Sequence, residues 1–298
     1  MPYLLNHILR IMEVSVFNRR FEQPMVLISF DVESPVDSYD NDFTKAKIAG
    51  VKNRIGLKKL IDLSERYETP FTLFCTGHAL LKECKGHNLH VNIYKKNPKY
   101  GFHVGNYSWH YLDPASDYTQ YPEFYYGDLI ERFKKSNIGH EIASHSFSHI
   151  PYALVDDNTV YKDLSRSFEV FETFLSEKPF SFSFPYNLAD KYHILSKFGI
   201  KICRIGHEVT NPITLRGGIL AIRTHITDFA LNDSLNSWIK IIDKIKKRKY
   251  LLNWYLHPAS LYDEQKFNVF WQIISYLKRQ EINMLTFREL YNILKQEL

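Results

Sequence analysis

The stretch PMVLISFDVES, residues 24–34, begins as an apolar run and ends in two carboxylates. The apolar run predicts a buried strand. Side chains alternate along a strand, so Asp31 and Glu33 point to the same side. Burying two carboxylates at the end of a strand costs free energy unless they are paired with a cation or a metal. The alternative is that both lie in a solvated loop. This stretch alone leaves both interpretations open.

Strand-like and helix-like segments alternate along the chain that follows this strand. Strands are predicted at 24–31, 69–77, 140–145, 180–185, 200–206, 218–225, 250–258 and at the start of 282–296. Helices are predicted at 54–67, 78–84, within 156–177, at 190–199, 234–248, 264–280 and at the end of 282–296. This alternation predicts an α/β fold with a parallel sheet. About seven or eight such units without a linker favour one closed or nearly closed barrel over two domains.

The predicted domain organisation is an N-terminal extension, residues 1–24, followed by one barrel domain, residues 25–298. An aromatic-rich insertion at about 85–130 interrupts the alternation and carries Gly and Pro turn signals. Eleven aromatic residues fall between Tyr94 and Tyr126. A long insertion in a compact domain is typical of a lid or binding loop. Alternatively, the aromatic residues build a small local core beneath the insertion.

Composition and charge exclude several classes of protein. The 298 residues are 45% hydrophobic and 15% aromatic, which is enough for a large core and is untypical of disorder. The net charge of +5 is modest, and the basic run at 240–250 is typical of the solvated face and end of a helix. No stacking or base-reading motif accompanies that run, so nucleic-acid binding is disfavoured. No apolar run approaches the length of a transmembrane span.

Cysteine usage and the N-terminal residues predict a cytoplasmic location. The three cysteines have no framework spacing, which favours a reducing compartment. The segment MPYLLNHILRIMEVSVF, residues 1–17, lacks the pattern of a secretory signal. Its apolar residues predict a short amphipathic helix that packs on the domain or rests on a membrane surface, and packing is the favoured alternative.

Reactive side chains follow several predicted strands directly. In an α/β barrel the active site lies at the carboxyl ends of the strands. In HEIASHSFSH, residues 140–149, His145 and His149 are four residues apart, which places both rings on one side of a helix or turn. Two imidazoles, one carboxylate and open positions are typical of a catalytic Zn²⁺ or a similar ion. An HxxxH pair also arises by chance, but the neighbouring carboxylates favour a metal site.

Three further polar residues lie near strand ends, and we predict a catalytic role for one of them and structural roles for the other two. His257 follows the strand at 250–256, where a histidine suits general acid or base catalysis near neutral pH. A single histidine is more often structural, and its place beside the predicted metal site favours catalysis. His140 lies at the opposite end of its strand and Glu141 alternates away, so structural roles are predicted for both.

Six short motifs lie in this order between about residues 25 and 295: LISFDVES, TPFTLFCTG, HEIASHSFSH, FSFPYN, YLHP and INMLTFREL. Together and in this order, they resemble the polysaccharide deacetylase family. This family is also called the NodB-homology or carbohydrate esterase 4 family. The resemblance implies a distorted (β/α)7–8 barrel of the NodB-homology type. It also implies hydrolysis of N-acetyl, or in some members O-acetyl, groups on carbohydrates with a divalent metal, most commonly Zn²⁺.

The resemblance implies a role for each matching residue. Asp31 corresponds to the catalytic base, His145 and His149 to metal ligands, and His257 to the general acid. The family's acidic ligand usually follows the base directly. Here a valine stands in that place, and the resemblance to members that space the two acids by one residue makes Glu33 the expected ligand.

The motif FPYN resembles the family's Arg-x-Pro-Tyr type, which implies that Pro185 and Tyr186 contact substrate. The backbone N–H of Tyr186 is expected to face the oxyanion. Ser183 stands where the family has an arginine that orients the base. The chain offers three unranked candidates for that guanidinium: Arg204, Arg216 and Arg223.

The predicted function is therefore deacetylation of an N-acetylated sugar. One alternative is a catalytically inactive carbohydrate-binding or scaffold protein on the same barrel, because the family pattern is altered at Val32 and Ser183. Another is a metal-dependent hydrolase of small amides, or of chitin-like or peptidoglycan fragments. A cytoplasmic location suggests a nucleotide- or lipid-linked saccharide that later enters a cell-surface polysaccharide. The sequence identifies neither the sugar nor the oligomeric state.

Overall fold

A computed structural model describes residues 21–37, 42–86, 89–93, 105–206 and 212–296. Residues 1–20 of the predicted N-terminal extension lie outside the described residues, and so do residues 94–104 of the predicted insertion. Within the described ranges, none of the helices has the length and apolar character needed to cross a bilayer.

Nine strands of the described chain form one curled sheet: β1 (Met25–Val32), β2 (Thr72–Cys75), β5 (Glu141–Ser144), β6 (Ser181–Ser183), β7 (Ile202–Ile205), β8 (Ile213–Arg216), β9 (Ile219–Arg223), β10 (Leu251–Leu256) and β11 (Asn283–Leu285). Their order in the sheet is β10-β1-β2-β5-β6-β7-β9-β8, with β11 paired to the start of β1. Neighbouring strands run parallel, except that β8 is antiparallel to β9. A separate antiparallel hairpin contains β3 (Leu89–Ile93) and β4 (Gly105–Trp109).

The two ends of the curled sheet approach each other and nearly close it. The chain just after β9 forms a parallel bridge to β10 between Ile226 and Trp254. The backbone N–H of His225 also donates to the carbonyl of Asn253 at 2.9 Å. The predicted α/β class with a distorted barrel is confirmed. We call this junction of β9 and β10 the seam.

Seven α-helices of the described chain surround or cap the sheet: α1 (Phe43–Tyr67), α2 (Gly127–Lys135), α3 (Asp157–Leu175), α4 (Tyr192–Lys197), α5 (Leu235–Arg248), α6 (Glu264–Arg279) and α7 (Phe287–Lys295). α1 begins eleven residues before the predicted start at 54. The reason is local: Asp42 accepts hydrogen bonds from the backbone N–H groups of Thr44 and Lys45, and such a cap stabilises a helix start.

Alternation along β1 separates the barrel interior from the layer beneath the helices. Leu27 belongs to an apolar cluster with residues from other strands and from α7, which closes the lower end of the barrel. Ile28 and Phe30 instead belong to the large core that contains residues of α1, α5 and α6. Because side chains alternate along a strand, Asp31 shares the interior face with Leu27. β1 therefore carries its carboxylate to the upper end of the barrel interior.

The helix predicted at 78–84 is wrong. Only His78–Leu80 form a single 3-10 turn, and Leu81 is extended. The backbone N–H of Cys84 donates to the carbonyl of Ser116 at 2.8 Å, and Glu83 forms a β-bridge with Asp117. These partners lie more than thirty residues ahead in the sequence, so local periodicity does not reveal them.

The predicted insertion contains more regular structure than the sequence suggested. It includes the β3–β4 hairpin, and α2 extends across its predicted end at residue 130. Phe124 and Tyr125 are fully buried in a small cluster with Val36 and Leu112. For the described part of the insertion, this cluster agrees with the alternative of a local core.

Candidate active site

Three side chains that follow β1 and β5 converge at the upper end of the barrel. Oε1 of Glu33 lies 3.4 Å from Nε2 of His145 and 3.0 Å from Nε2 of His149. Nε2 of His257, which follows β10, lies 3.6 Å from the same oxygen. The predicted catalytic and metal-binding side chains of these strands therefore share one site.

The donor atoms of Glu33, His145 and His149 fit a divalent metal ion. Bonds of about 2.0–2.1 Å at tetrahedral angles separate neighbouring donors by about 3.3 Å, close to the separations found here. Nδ1–H of His145 donates to the carbonyl of Ser183 at 2.8 Å, which leaves the Nε2 lone pair directed into the site. This Nε2 is buried and has no hydrogen-bond partner in the described chain.

The charge of Glu33 also suits cation binding. Burial by itself raises the pKa of this carboxyl group, but the charge of His149 and the close contacts with the imidazole nitrogens of His145, His149 and His257 lower the pKa by more. The net pKa is well below the ordinary value, so Glu33 is a carboxylate. A carboxylate beside two imidazoles is a ligand set that zinc accepts.

The loop that carries His149 is held by Asp163 of α3, which the sequence motifs do not predict. Asp163 accepts hydrogen bonds from the backbone N–H groups of Phe147 and Ser148, each at 3.0 Å. His149 has a left-handed backbone with φ of 60°, and its N–H donates to the hydroxyl of Ser146 at 2.8 Å. These contacts fix the turn between the two histidines.

Asp31 lies beside the candidate metal site and is held by Arg204. The guanidinium donates two hydrogen bonds to the carboxylate, at 2.7 and 2.5 Å. Arg204 is fully buried, and its guanidinium lies 4.1 Å from the ring centre of Tyr255. Of the three arginines left unranked by the sequence, Arg204 is the one that contacts the expected base.

The position of Arg204 follows from strand register. Ser183 of β6 and Arg204 of β7 are register partners. Partners on neighbouring parallel strands point to the same side of a sheet. The guanidinium that the family motif provides at position 183 therefore comes here from the adjacent strand, at the same level of the barrel.

His257 is oriented by Asp228, which the sequence motifs also do not predict. Nδ1–H of His257 donates to Oδ2 of Asp228 at 2.9 Å. The hydroxyl of Ser260 donates to the same oxygen at 2.5 Å. Burial lowers the pKa of His257, but the charge and hydrogen bond of Asp228 raise it more, so the net pKa is well above the ordinary value. This orientation and this direction of the pKa shift suit His257 to donating a proton from Nε2.

Asn53 of α1 links the end of β1 to the turn after β10. Its Nδ2 donates to the carbonyl of Glu33 at 3.2 Å, and its Oδ1 accepts from the N–H of Ala259 at 3.0 Å. A lone asparagine in a helix gives no sequence signal for this role. Its two contacts join the segments that carry Glu33 and His257.

Pro185 and Tyr186 lie in the 3-10 turn after β6 (Pro185–Asn187). Tyr186 has a left-handed backbone with φ of 57°, and its ring centre lies 4.5 Å from that of His149. The turn therefore borders the candidate metal site. The expected contact between the Tyr186 backbone N–H and an oxyanion stays a prediction.

His140 and Glu141 lie at the opposite end of β5 from the site. Nδ1 of His140 accepts a hydrogen bond from the backbone N–H of Phe71 at 3.1 Å. Glu141 is buried and accepts hydrogen bonds from the hydroxyl groups of Thr72 and Ser181. These contacts match the structural roles predicted for both residues.

Comparison with known proteins supports the resemblance stated from the motifs. The family model for polysaccharide deacetylase matches residues 124–203, a region that includes His145 and His149. The resemblance to this family is confirmed. Asp31, Glu33 and His257 lie outside the matched region. A search of curated proteins finds no match to the sequence.

Solved structures show the same fold at low sequence identity. A protein from Mycobacterium smegmatis described as a polysaccharide deacetylase has a TM-score of 0.67 and 13% identity, covering 95% of this chain and 94% of its own. Puue allantoinase has a TM-score of 0.63 and 10% identity, covering 90% of this chain and 89% of its own. Peptidoglycan deacetylase PdaC from Bacillus subtilis has a TM-score of 0.52 and 13% identity, with 93% and 94% covered.

Proposed function

We propose that this chain, which resembles the polysaccharide deacetylases in sequence and in fold, is a metal-dependent hydrolase that removes N-acetyl groups from a carbohydrate. One observation carries the proposal: a single oxygen of Glu33 lies within 3.6 Å of three imidazole nitrogens, those of His145, His149 and His257. An O-acetyl group is the alternative substrate bond, because the same residues suit either bond.

Glu33, His145 and His149 would hold the metal, and zinc is the ion that this ligand set favours. The bound ion would supply a water molecule of lowered pKa and a positive charge for the acetyl carbonyl oxygen. The tautomer of His145 is set by its hydrogen bond to Ser183, and Asp163 fixes the loop of His149. These contacts favour a preformed site.

Asp31 and His257 each carry out one of the two proton transfers in the proposed reaction. Asp31 accepts a proton from the attacking water, and Arg204 holds the carboxylate in position. His257, oriented by Asp228, donates a proton from Nε2 to the departing nitrogen as the C–N bond breaks. The nitrogen would otherwise be a very poor leaving group. The products are acetate and a free amino sugar.

We further propose a cytoplasmic substrate, such as a nucleotide- or lipid-linked saccharide that precedes a cell-surface polysaccharide. The support is that Cys75, Cys84 and Cys203 are all buried thiols outside any disulfide, as in proteins of a reducing compartment. Cell extracts and exported polymer from cells that express the protein or lack it would be compared for acetyl content. Deacetylation of exported polymer alone, with the intracellular precursors unchanged, would contradict this part of the proposal.

Metal content and acetate release together test the proposed function. The purified protein, offered Zn²⁺ and then desalted, should retain metal by elemental mass spectrometry and release acetate from N-acetylglucosamine oligomers. Glu33→Ala and His149→Ala should each lose bound metal and at least about 10²-fold in rate. His193→Ala is the matched control, because His193 is an exposed histidine bonded to Asp157.

The result that would overturn the proposal is equally specific. Wild-type protein that folds, binds N-acetylglucosamine oligomers and releases no acetate with Zn²⁺ present is an inactive carbohydrate-binding protein. Small cyclic amides belong in the same assay, because an allantoinase has this fold. If the protein hydrolyses those amides and not acetylated sugars, it is a hydrolase as proposed, but its substrates are cyclic amides and not carbohydrates.

A further inference from the structure

A second cluster of metal-binding residue types lies beside the first site but shares no residue with it. Nε2 of His78 lies 3.1 Å from Oδ2 of Asp113, and Sγ of Cys84 lies 2.9 Å from the same oxygen. The three side chains are almost completely buried. They come from the turn after β2, the segment that follows it, and the loop after β4, so the fold rather than one local motif assembles them.

The nitrogen, sulfur and oxygen donors are close enough to share one ion. A tetrahedral zinc ion with bonds of about 2.0 Å to N and O and 2.3 Å to S separates its donors by about 3.3–3.5 Å. The two distances to Oδ2 of Asp113 need to lengthen by only about half an ångström to reach those separations. Imidazole, thiolate and carboxylate are all zinc ligands in proteins.

Hydrogen bonds to the Asp113 carboxylate already orient it for binding a metal ion. Its other oxygen, Oδ1, accepts hydrogen bonds from the hydroxyl of Tyr125 at 2.9 Å and from the backbone N–H of Ala115 at 3.0 Å. Oδ2 is thereby directed towards His78 and Cys84. Outer contacts of this kind orient the ligands of known metal sites.

The ring of His110 packs against the ring of His78 at the edge of this cluster. Its ring centre lies 4.9 Å from that of His78, with a tilt of 46°. The pair at the first site, His145 and His149, has the same 4.9 Å separation and a tilt of 54°. His110 is buried and has a left-handed backbone with φ of 59°, which a non-glycine residue keeps only when its surroundings demand it.

We propose that His78, Cys84 and Asp113 form a second zinc site that attaches the segment after β4 to the barrel. Binding the ion replaces the thiol proton of Cys84, which is released to solvent, with a sulfur–metal bond. The site would also stiffen the first one. The Phe147 ring, from the loop between His145 and His149, lies 5.8 Å from the ring of His110.

An ion can reach the cluster through a neighbouring cavity. A cavity of about 580 Å³ is lined by Cys84, Phe147 and Asp163. It therefore borders both the proposed second site and the loop that carries His149. Cys84 is the ligand that such an ion would meet first.

Cobalt spectroscopy separates the two sites because only the second contains sulfur. Metal-stripped wild-type protein would be titrated with Co²⁺ and followed in the near-ultraviolet and visible range. We expect two equivalents to bind, together with a thiolate-to-cobalt charge-transfer band in the near-ultraviolet. Glu33→Ala should lose one equivalent and keep that band, so failure of the first site is distinguishable from failure of the second.

Cysteine variants assign the band to one residue. Cys84→Ser should lose the charge-transfer band and one equivalent of Co²⁺, whereas Cys203→Ser, which changes a buried thiol outside both clusters, should keep both. One equivalent bound to wild-type protein without a charge-transfer band would overturn the proposal, since Cys84 would then only donate a hydrogen bond to Asp113. This result comes from the wild-type protein and does not depend on how a variant folds.

Discussion

At the scale of single residues, Ser183 stands where the family has an arginine, and Arg204 on the next strand compensates for the missing guanidinium. The planar guanidinium makes two parallel hydrogen bonds to Asp31 and lies between the rings of Tyr255 and Phe74. Lysine cannot reproduce either feature, because an ammonium group is neither planar nor bidentate. The departure at position 183 is therefore no evidence of lost catalysis.

Arg204→Lys should lower kcat by about 10²-fold, because the expected base loses its orientation. Metal content should stay unchanged, since the hydrogen bonds of Arg204 go to Ser29 and Asp31. The measurement is acetate release together with elemental analysis of the same protein. Arg216→Lys, an exposed arginine on β8, is the matched control. Unchanged kcat in Arg204→Lys would show that Asp31 needs no such partner.

The candidate site divides into residues that the sequence predicts and residues that it does not. Asp31, Glu33, His145, His149 and His257 are predictable because each lies at the end of a strand or shortly after it, and parallel strands end at one edge of the barrel. Their partners are not predictable in the same way. Asp228, Asn53 and Asp163 reach the site from a loop and two helices, and only the three-dimensional packing brings them there. Arg204 was one of three candidate arginines in the sequence, and its contacts with Asp31 single it out.

At the scale of elements, the close approach of α1 to the turn after β10 positions His257. A Cβ atom placed on Gly56 would lie 1.8 Å from the carbonyl oxygen of Pro258. Asn53, one turn earlier on the helix, accepts from the N–H of Ala259 in the same turn. Only a glycine allows this approach, so the helix and the turn form one unit.

Gly56→Ala should therefore destabilise the protein and disturb the site at once. The extra methyl group forces the helix and the turn apart, and such overpacking reduces the free energy of unfolding by about 1–3 kcal/mol. Urea denaturation measures the stability, and acetate release measures the displacement of His257. Val51→Ala, at an exposed position of the same helix, should change the free energy of unfolding by less than about 0.5 kcal/mol. Equal effects of the two substitutions would contradict the close-packing argument.

The elements that the sequence predicts best are those with local causes. The helices at 157–175, 235–248 and 264–279 match their predicted ranges within a few residues, because their periodicity and N-terminal caps are local. The predicted helix at 78–84 fails because Cys84 pairs with Ser116 instead. β8 was also not predicted, since its four residues take their structure from antiparallel pairing with β9.

At the scale of the whole molecule, the upper end of the barrel carries the candidate active site and the lower end contributes to stability. The upper end gathers the charged and titratable side chains of the candidate site. The lower end is closed by Phe287 and Leu290 of α7, and the buried Glu141 there accepts hydrogen bonds from Ser181 and the backbone of Arg288. Substitutions at the lower end are accordingly expected to change stability without changing the chemistry.

The seam of the barrel makes global stability depend on pH. His225 donates its backbone N–H to the carbonyl of Asn253, and its Nδ1 accepts the backbone N–H of Asn253 at 2.8 Å. Burial, and then the charge of Arg223, lower the pKa of His225 to about 3 in the folded protein. The unfolded value is about 6.5. As pH falls between these values, the unfolded chain takes up a proton that the folded protein does not, so the free energy of unfolding decreases.

His225→Asn isolates this contribution, because asparagine keeps an acceptor near the position of Nδ1 but does not titrate. Urea denaturation at pH 7.0, 6.0 and 5.0 should show that the wild type loses more stability on acidification than the variant. The difference in slope should approach about 1.4 kcal/mol per pH unit below pH 6. His90→Asn, at an exposed histidine of β3, is the matched control and should keep the wild-type slope. Parallel slopes for wild type and His225→Asn would mean that the seam opens to water before the chain unfolds, so that His225 titrates in the native state.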